Sequence, residues 1–99
     1  MANLYPATTG LPMTVWVSPR GHARHDARVK VNRTPGPRMG LDNAAVMAVR
    51  PVPRLIEGNL SATDQAAVAA WITANADALI DFWNGMIDTA GFITRLVKV

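Results

Sequence analysis

The clearest pattern in the chain is the alternation in Ala27-Arg-Val-Lys-Val-Asn-Arg33. Ala27, Val29 and Val31 point one way, and Arg28, Lys30 and Asn32 point the other. Period two predicts a half-buried strand, and a one-residue slip would bury two cations, so the register is firm. Met13-Thr-Val-Trp-Val-Ser18 repeats the pattern, with Met13, Val15 and Val17 opposed to Thr14, Trp16 and Ser18. Pro19-Arg20-Gly21 supplies turn chemistry between the two runs. Ala44–Arg50 is more evenly apolar, the composition of a central strand. Pro51 and Pro53 end it, and Arg54-Leu-Ile-Glu57 adds a brief further strand. Residues 1–12 lack any such period and are broken by Pro6, Gly10 and Pro12. They read as a loose leader before one domain over 13–99.

After Gly58 the period changes. Ser61 is placed as a helix N-cap, with Asp64 three residues on as a short capping-box partner at the positive helix end. Val68, Trp71 and Ile72 then follow helical spacing. Asn75 and Asp77 predict a break or bend, since both favour caps over helix interiors. Leu79, Phe82, Trp83 and Met86 form a second apolar stripe at i, i+3, i+4 and i+7, and Gly85 is placed as a C-terminal cap. Asp88 starts a third short helix with Phe92, Ile93 and Leu96 on its inner side. The expected fold is α+β: a small antiparallel sheet of about three to four strands, packed against two to three C-terminal helices. All seven prolines lie in the first 53 residues, which supports this division.

Composition adds bounds. The chain has 99 residues, 49% of them hydrophobic, which fits one globular core and excludes disorder of the whole chain. It has no cysteine, so disulfides, thiolate zinc sites and cysteine nucleophiles are excluded. No apolar run approaches a membrane span, and Met1–Pro6 lacks the pattern of a signal peptide, so a cytoplasmic location is expected. The net charge of +3 is unevenly placed. Residues 1–54 carry eight cations and two acids, leaving +6, whereas residues 55–99 carry two cations and five acids, leaving −3. Such asymmetry points to a basic binding face.

Candidate chemistry is sparse. Arg20-Gly-His-Ala-Arg-His-Asp-Ala-Arg28 holds both histidines, His22 and His25, beside Asp26. Two imidazoles and a carboxylate are ligand types for a metal, but the spacing is unspecific and the arginines repel a dication, so no metal site is assigned. The histidines are the weak candidates for catalysis, as acid and base of a small ribonuclease with arginines holding phosphate. No nucleotide-binding glycine motif, catalytic triad context or cofactor signature occurs, so no cofactor is expected. The third reading is anion binding without catalysis. Arg20, Arg24, Arg28, Lys30, Arg33 and Arg38 are the candidate contacts, with guanidinium groups suited to phosphate. The aromatic stripe of Trp71, Phe82 and Trp83 lies in the acidic half and is read as core.

Two stretches carry a family resemblance. His22-Ala-Arg-His25 leads into Ala27–Val31, and Leu55-Ile-Glu-Gly-Asn-Leu-Ser61 precedes a helix with Ala70-Trp-Ile72 and Asp77-Ala-Leu-Ile-Asp-Phe-Trp83. This order resembles the small bacterial family called domain of unknown function 4160. Trp71, Asp77, Leu79 and Trp83 match its helical pattern, while the Pro- and Arg-rich loop 33–40 departs from it. The resemblance implies a compact α+β protein of toxin–antitoxin-like gene pairs, and it brings no active site. The expected function is a non-catalytic interaction protein that binds a partner protein or nucleic acid through a basic N-terminal strand face. The alternatives are a phage or mobile-element inhibitor docking on a host complex, for example one of CRISPR type, and the ribonuclease. No membrane partner is expected, and the oligomeric state is left open.

Overall fold

The computed structural model describes residues 2–21, 25–32 and 44–99. It shows an antiparallel sheet of five strands with helices packed on one face, an α+β fold. The strands are β1 (Ala2–Leu4), β2 (Val15–Val17), β3 (Arg28–Asn32), β4 (Ala44–Ala48) and β5 (Arg54–Glu57). They follow one another across the sheet in chain order, so β3 is the middle strand and β4 lies between β3 and β5. The helices are α1 (Pro6–Thr9), α2 (Ala62–Ala74), α3 (Ala76–Trp83) and α4 (Thr89–Arg95).

Residues 2–12, expected as a loose leader, are instead built into the fold and raise the strand count to five. β1 pairs with β2 (Ala2 opposite Val17, Leu4 opposite Val15), and Ala2, Leu4 and Leu11 are buried. Three residues are too short a strand to show a period, which is why the pattern was silent there. Pro6 starts α1 at a position where its missing N–H costs nothing. Gly10 ends it at φ +81°, and a Cβ there would collide with the backbone carbonyl of Val99. The Val99 N–H in turn donates to the Thr9 carbonyl at 3.0 Å, so both ends of the chain meet at α1.

Register makes two different faces. Val15 opposes Val31, Val31 opposes Ala45, Val29 opposes Met47, and Met47 opposes Leu55. These residues form the inner face. With Val68, Trp71, Ile72, Ala78, Leu79, Phe82, Trp83 and Phe92 of the helices they make one core. On the other face Trp16 opposes Lys30, Lys30 opposes Val46, and Val46 opposes Glu57. A bulge at Ile56 keeps Glu57 and Arg54 on this outer side, since Met47 already pairs with Leu55. The alternation read in β2 and β3 is therefore the true register. Thr14 and Asn32 depart from their expected polar setting, and both are buried.

The helix signals resolve one by one. The Asp64 N–H donates to Ser61 Oγ at 3.1 Å, and the Gly91 N–H donates to Asp88 Oδ1 at 2.8 Å, so both predicted caps form. Asn75 marks the break between α2 and α3, and it is buried. Its Nδ2 donates to the Trp71 carbonyl (2.9 Å) and the Val97 carbonyl (3.0 Å), while its Oδ1 accepts from the Val97 N–H (2.7 Å). One side chain thus closes the kink and pins the C-terminal segment to it. Phe82 stacks on Phe92 at a centroid distance of 4.5 Å, joining α3 to α4.

Two stripe residues are corrected. Met86 is 73% exposed, because α3 stops at Trp83 and Gly85 turns the chain at φ +74°, so the i+7 position is no longer on the helix. Ile93 is also exposed: Phe92 fills the inward position of α4, and its neighbour in sequence points about 100° round the axis. No helix among the described residues is long and apolar enough to cross a membrane.

Candidate functional site

The outer face of the sheet gathers the cations. β3 supplies Arg28 and Lys30 because its polar residues fall on even positions, opposite the buried Val29 and Val31. β4 contributes Ala44, Val46 and Ala48 to the same face, and β5 adds Arg54 opposite Ala48. Arg28 also opposes Ala48, so two arginines flank one alanine, their backbones about 10 Å apart across three strands. Val46 and Ala48 are 5% and 6% exposed, yet both stand outside the core cluster that contains their neighbours Ala45, Met47 and Val49. The face therefore has a small apolar floor of its own between flanking cationic side chains.

Trp16 lies on this face, half-buried, with the Lys30 ammonium 5.9 Å from its ring centroid. Arg28 is its diagonal cross-strand neighbour, within reach of a long side chain. Trp16 Nε1 and Arg28 Nε are both buried and find no acceptor among the described residues. Arg28, Lys30 and Arg54 make no ion pair among the described residues. Glu57 is the one acid placed on the face by the register, at the edge opposite Val46.

The predicted contact residues separate. Arg28 and Lys30 stand together on the outer face. Arg20 does not join them: it sits at a corner where its N–H donates to the Trp83 carbonyl at 2.8 Å. Arg24, Arg33 and Arg38 lie outside the described residues. Arg54 and Trp16 were not among the candidates. Each sits on the polar side of its own strand, but only cross-strand register sets Trp16 beside Lys30 and Arg54 beside Arg28, and register is not legible in one strand at a time.

The histidine cluster takes a different place. His22 lies outside the described residues. The His25 ring packs on Trp83 of α3, with centroids 5.3 Å apart. His25 Nδ1 lies 2.8 Å from the Asp26 carbonyl oxygen, which puts the proton on that nitrogen. Asp26 is engaged with Arg50, whose Nε donates to both carboxylate oxygens at 2.9 and 2.8 Å. That hydrogen bond, followed by one from the Ala27 backbone, holds the Asp26 carboxyl below its ordinary range. This corner is a strut between the entry to β3 and the exit from β4. Among the described residues no three His, Cys, Asp or Glu side chains come together as a metal would require. A cleft of about 180 Å³ at the α2–α3 junction is lined by Asn75, Asp77 and Arg95. Asn75 is committed to Val97 and Arg95 to Asp81, at 2.6 Å, and the cleft is smaller than an ordinary small-molecule site.

Comparison of the chain with protein-family models, with curated proteins and with solved structures finds no match.

Proposed function

We propose that the chain is a non-catalytic interaction protein whose contact surface is the outer face of the sheet, where an acidic partner, nucleic acid or protein, is met by Arg28, Lys30 and Arg54. The observation that carries this reading is that three cations, without an ion pair among the described residues, flank a floor of Val46 and Ala48 that lies outside the helix-covered core. Cations placed this way steer a partner of opposite charge and set its orientation. The ribonuclease alternative keeps one described histidine, His25, whose ring packs on Trp83 and whose Nδ1 is held by the Asp26 carbonyl. A toxin–antitoxin-like pair and a phage inhibitor of a host complex are both contexts in which such a docking face serves. The first is carried by the family resemblance of residues 55–83 alone.

The test is affinity capture from the native host with the wild type and with Lys30→Glu/Arg54→Glu, each with and without nuclease. Both substitutions are at exposed positions and leave the core untouched. Capture by the wild type that is lost on charge reversal is the expected result. Capture that survives reversal unchanged contradicts the reading.

A further inference from the structure

Resting on that reading of the outer face, the geometry points to a narrower ligand: we infer that the face binds single-stranded nucleic acid, with a base stacked on Trp16 and phosphates held by Arg28, Lys30 and Arg54. Two features favour this over a surface for an acidic protein. The first is an aromatic ring on the solvent side of a sheet, flanked by cations on the next strand. Aromatic platforms beside basic grooves are how sheets take single strands, because every base offers a π face and every linkage a charge. The second is the breadth of the cationic row. Arg28 and Arg54 are separated by a whole strand, a spread that a strand of linked phosphates can cross.

Lys30 occupies one side of the Trp16 ring in the free protein. That contact is an exposed cation–π pair, weaker than a stacked base, and the ammonium gains a phosphate when it swings away. The site is thus filled by a local contact of the kind a ligand displaces. A duplex fits less well. Its bases are stacked inside, and reading them needs an element that enters a groove, which a sheet face five strands wide does not provide.

The experiment is fluorescence anisotropy with a labelled oligothymidylate of about twelve nucleotides, competed with linear polyphosphate and with polyglutamate. The wild type is expected to bind the oligothymidylate, and three phosphate contacts predict an affinity loss of about tenfold to twentyfold between about 50 and 200 mM salt. Trp16→Val keeps a strand-forming residue and is expected to weaken the oligothymidylate about tenfold or more, while polyphosphate competition stays within about twofold. Trp16→Tyr is expected to restore most of the binding, which a purely structural role for the indole would not produce. A second measurement needs no variant: an oligonucleotide carrying 5-bromouracil is expected to cross-link to Trp16 on irradiation, as mapped by mass spectrometry.

Equal binding of oligothymidylate and polyphosphate, with no effect of Trp16→Val and no cross-link at Trp16, overturns the stacked-base inference and leaves the basic docking face standing. Binding of polyglutamate without oligothymidylate also overturns it and assigns the face to an acidic protein. No binding of any of the three polyanions by the folded wild type overturns both.

Discussion

The two faces of the sheet are written in alternate residues of the same strands, and they solve opposite problems. On the inner face Val15, Val29, Val31 and Met47 are at most 1% exposed and meet three helices. On the outer face Trp16, Arg28, Lys30 and Arg54 surround a narrow floor of Val46 and Ala48. The inner face is held by complementarity within the chain. The outer face leaves charge and two buried donors without partners among the described residues, so its complement is sought outside the fold. The comparison teaches that adjacent residues of β3 can differ fully in their surroundings: Val31 is buried against the helices, and Lys30 is exposed on the other side.

Exchanging character between those two neighbours is the strongest way to break the comparison. Val31→Lys places an ammonium at a position with no exposure, and an unpaired buried charge costs several kcal/mol, comparable to the whole stability of about 5–15 kcal/mol expected for such a domain. Loss of the cooperative urea transition is the expected outcome, and a folded Val31→Lys protein would show that the inner face is not the core. Trp71→Ala comes next, at about 3–5 kcal/mol in chemical denaturation. Trp71→Phe should cost much less, because the indole Nε1 is buried without a hydrogen-bond partner among the described residues and its removal relieves a desolvated donor. Asn75→Ala sharpens the picture within the helix layer. It leaves the Val97 N–H and two carbonyls without their side-chain partner, and a loss of about 1–3 kcal/mol is expected, readable as a lowered urea midpoint. Lys30→Val, on the outer side, should change stability by no more than about 0.5 kcal/mol while weakening capture of the partner.

The smallest effect lies at the strut. The Asp26 carboxyl is held below its usual range by Arg50, so its folded pKa is under its unfolded value. Its stabilising contribution is then complete above the unfolded carboxylate pKa and is lost as pH falls through the folded one. Comparing wild type with Asp26→Asn, the stability difference should be flat from neutral pH down to the carboxylate range and close below it. The pair is half-exposed on both sides, so the difference should be small at every pH and shrink with salt.

Much of this was legible in the sequence wherever a single segment carries its own signal. The alternation over 27–31, the caps at Ser61 and Asp88 and the break at Asn75 are local statements of geometry, and the structure bears them out. β1 was hidden because Ala2-Asn3-Leu4 is shorter than any period and gains its stability from β2. Met86 misled because spacing continues on paper after the chain has turned at Gly85. The outer face was half legible. Arg28 and Lys30 follow from alternation, but Trp16 and Arg54 join them only through pairing across strands. Arg20 resembled them in charge alone and belongs to the Trp83 corner.

The three tryptophans sample the two faces directly, with Trp16 outside and Trp71 and Trp83 in the core. The most direct measurement is therefore a ¹⁵N–¹H spectrum of the three indole N–H groups during titration with oligothymidylate. A progressive shift of the Trp16 indole, with Trp71 and Trp83 unmoved, is the predicted result. Movement of Trp71 or Trp83 with Trp16 still, or no movement at all, would contradict the assignment of the outer face as a surface for single-stranded nucleic acid.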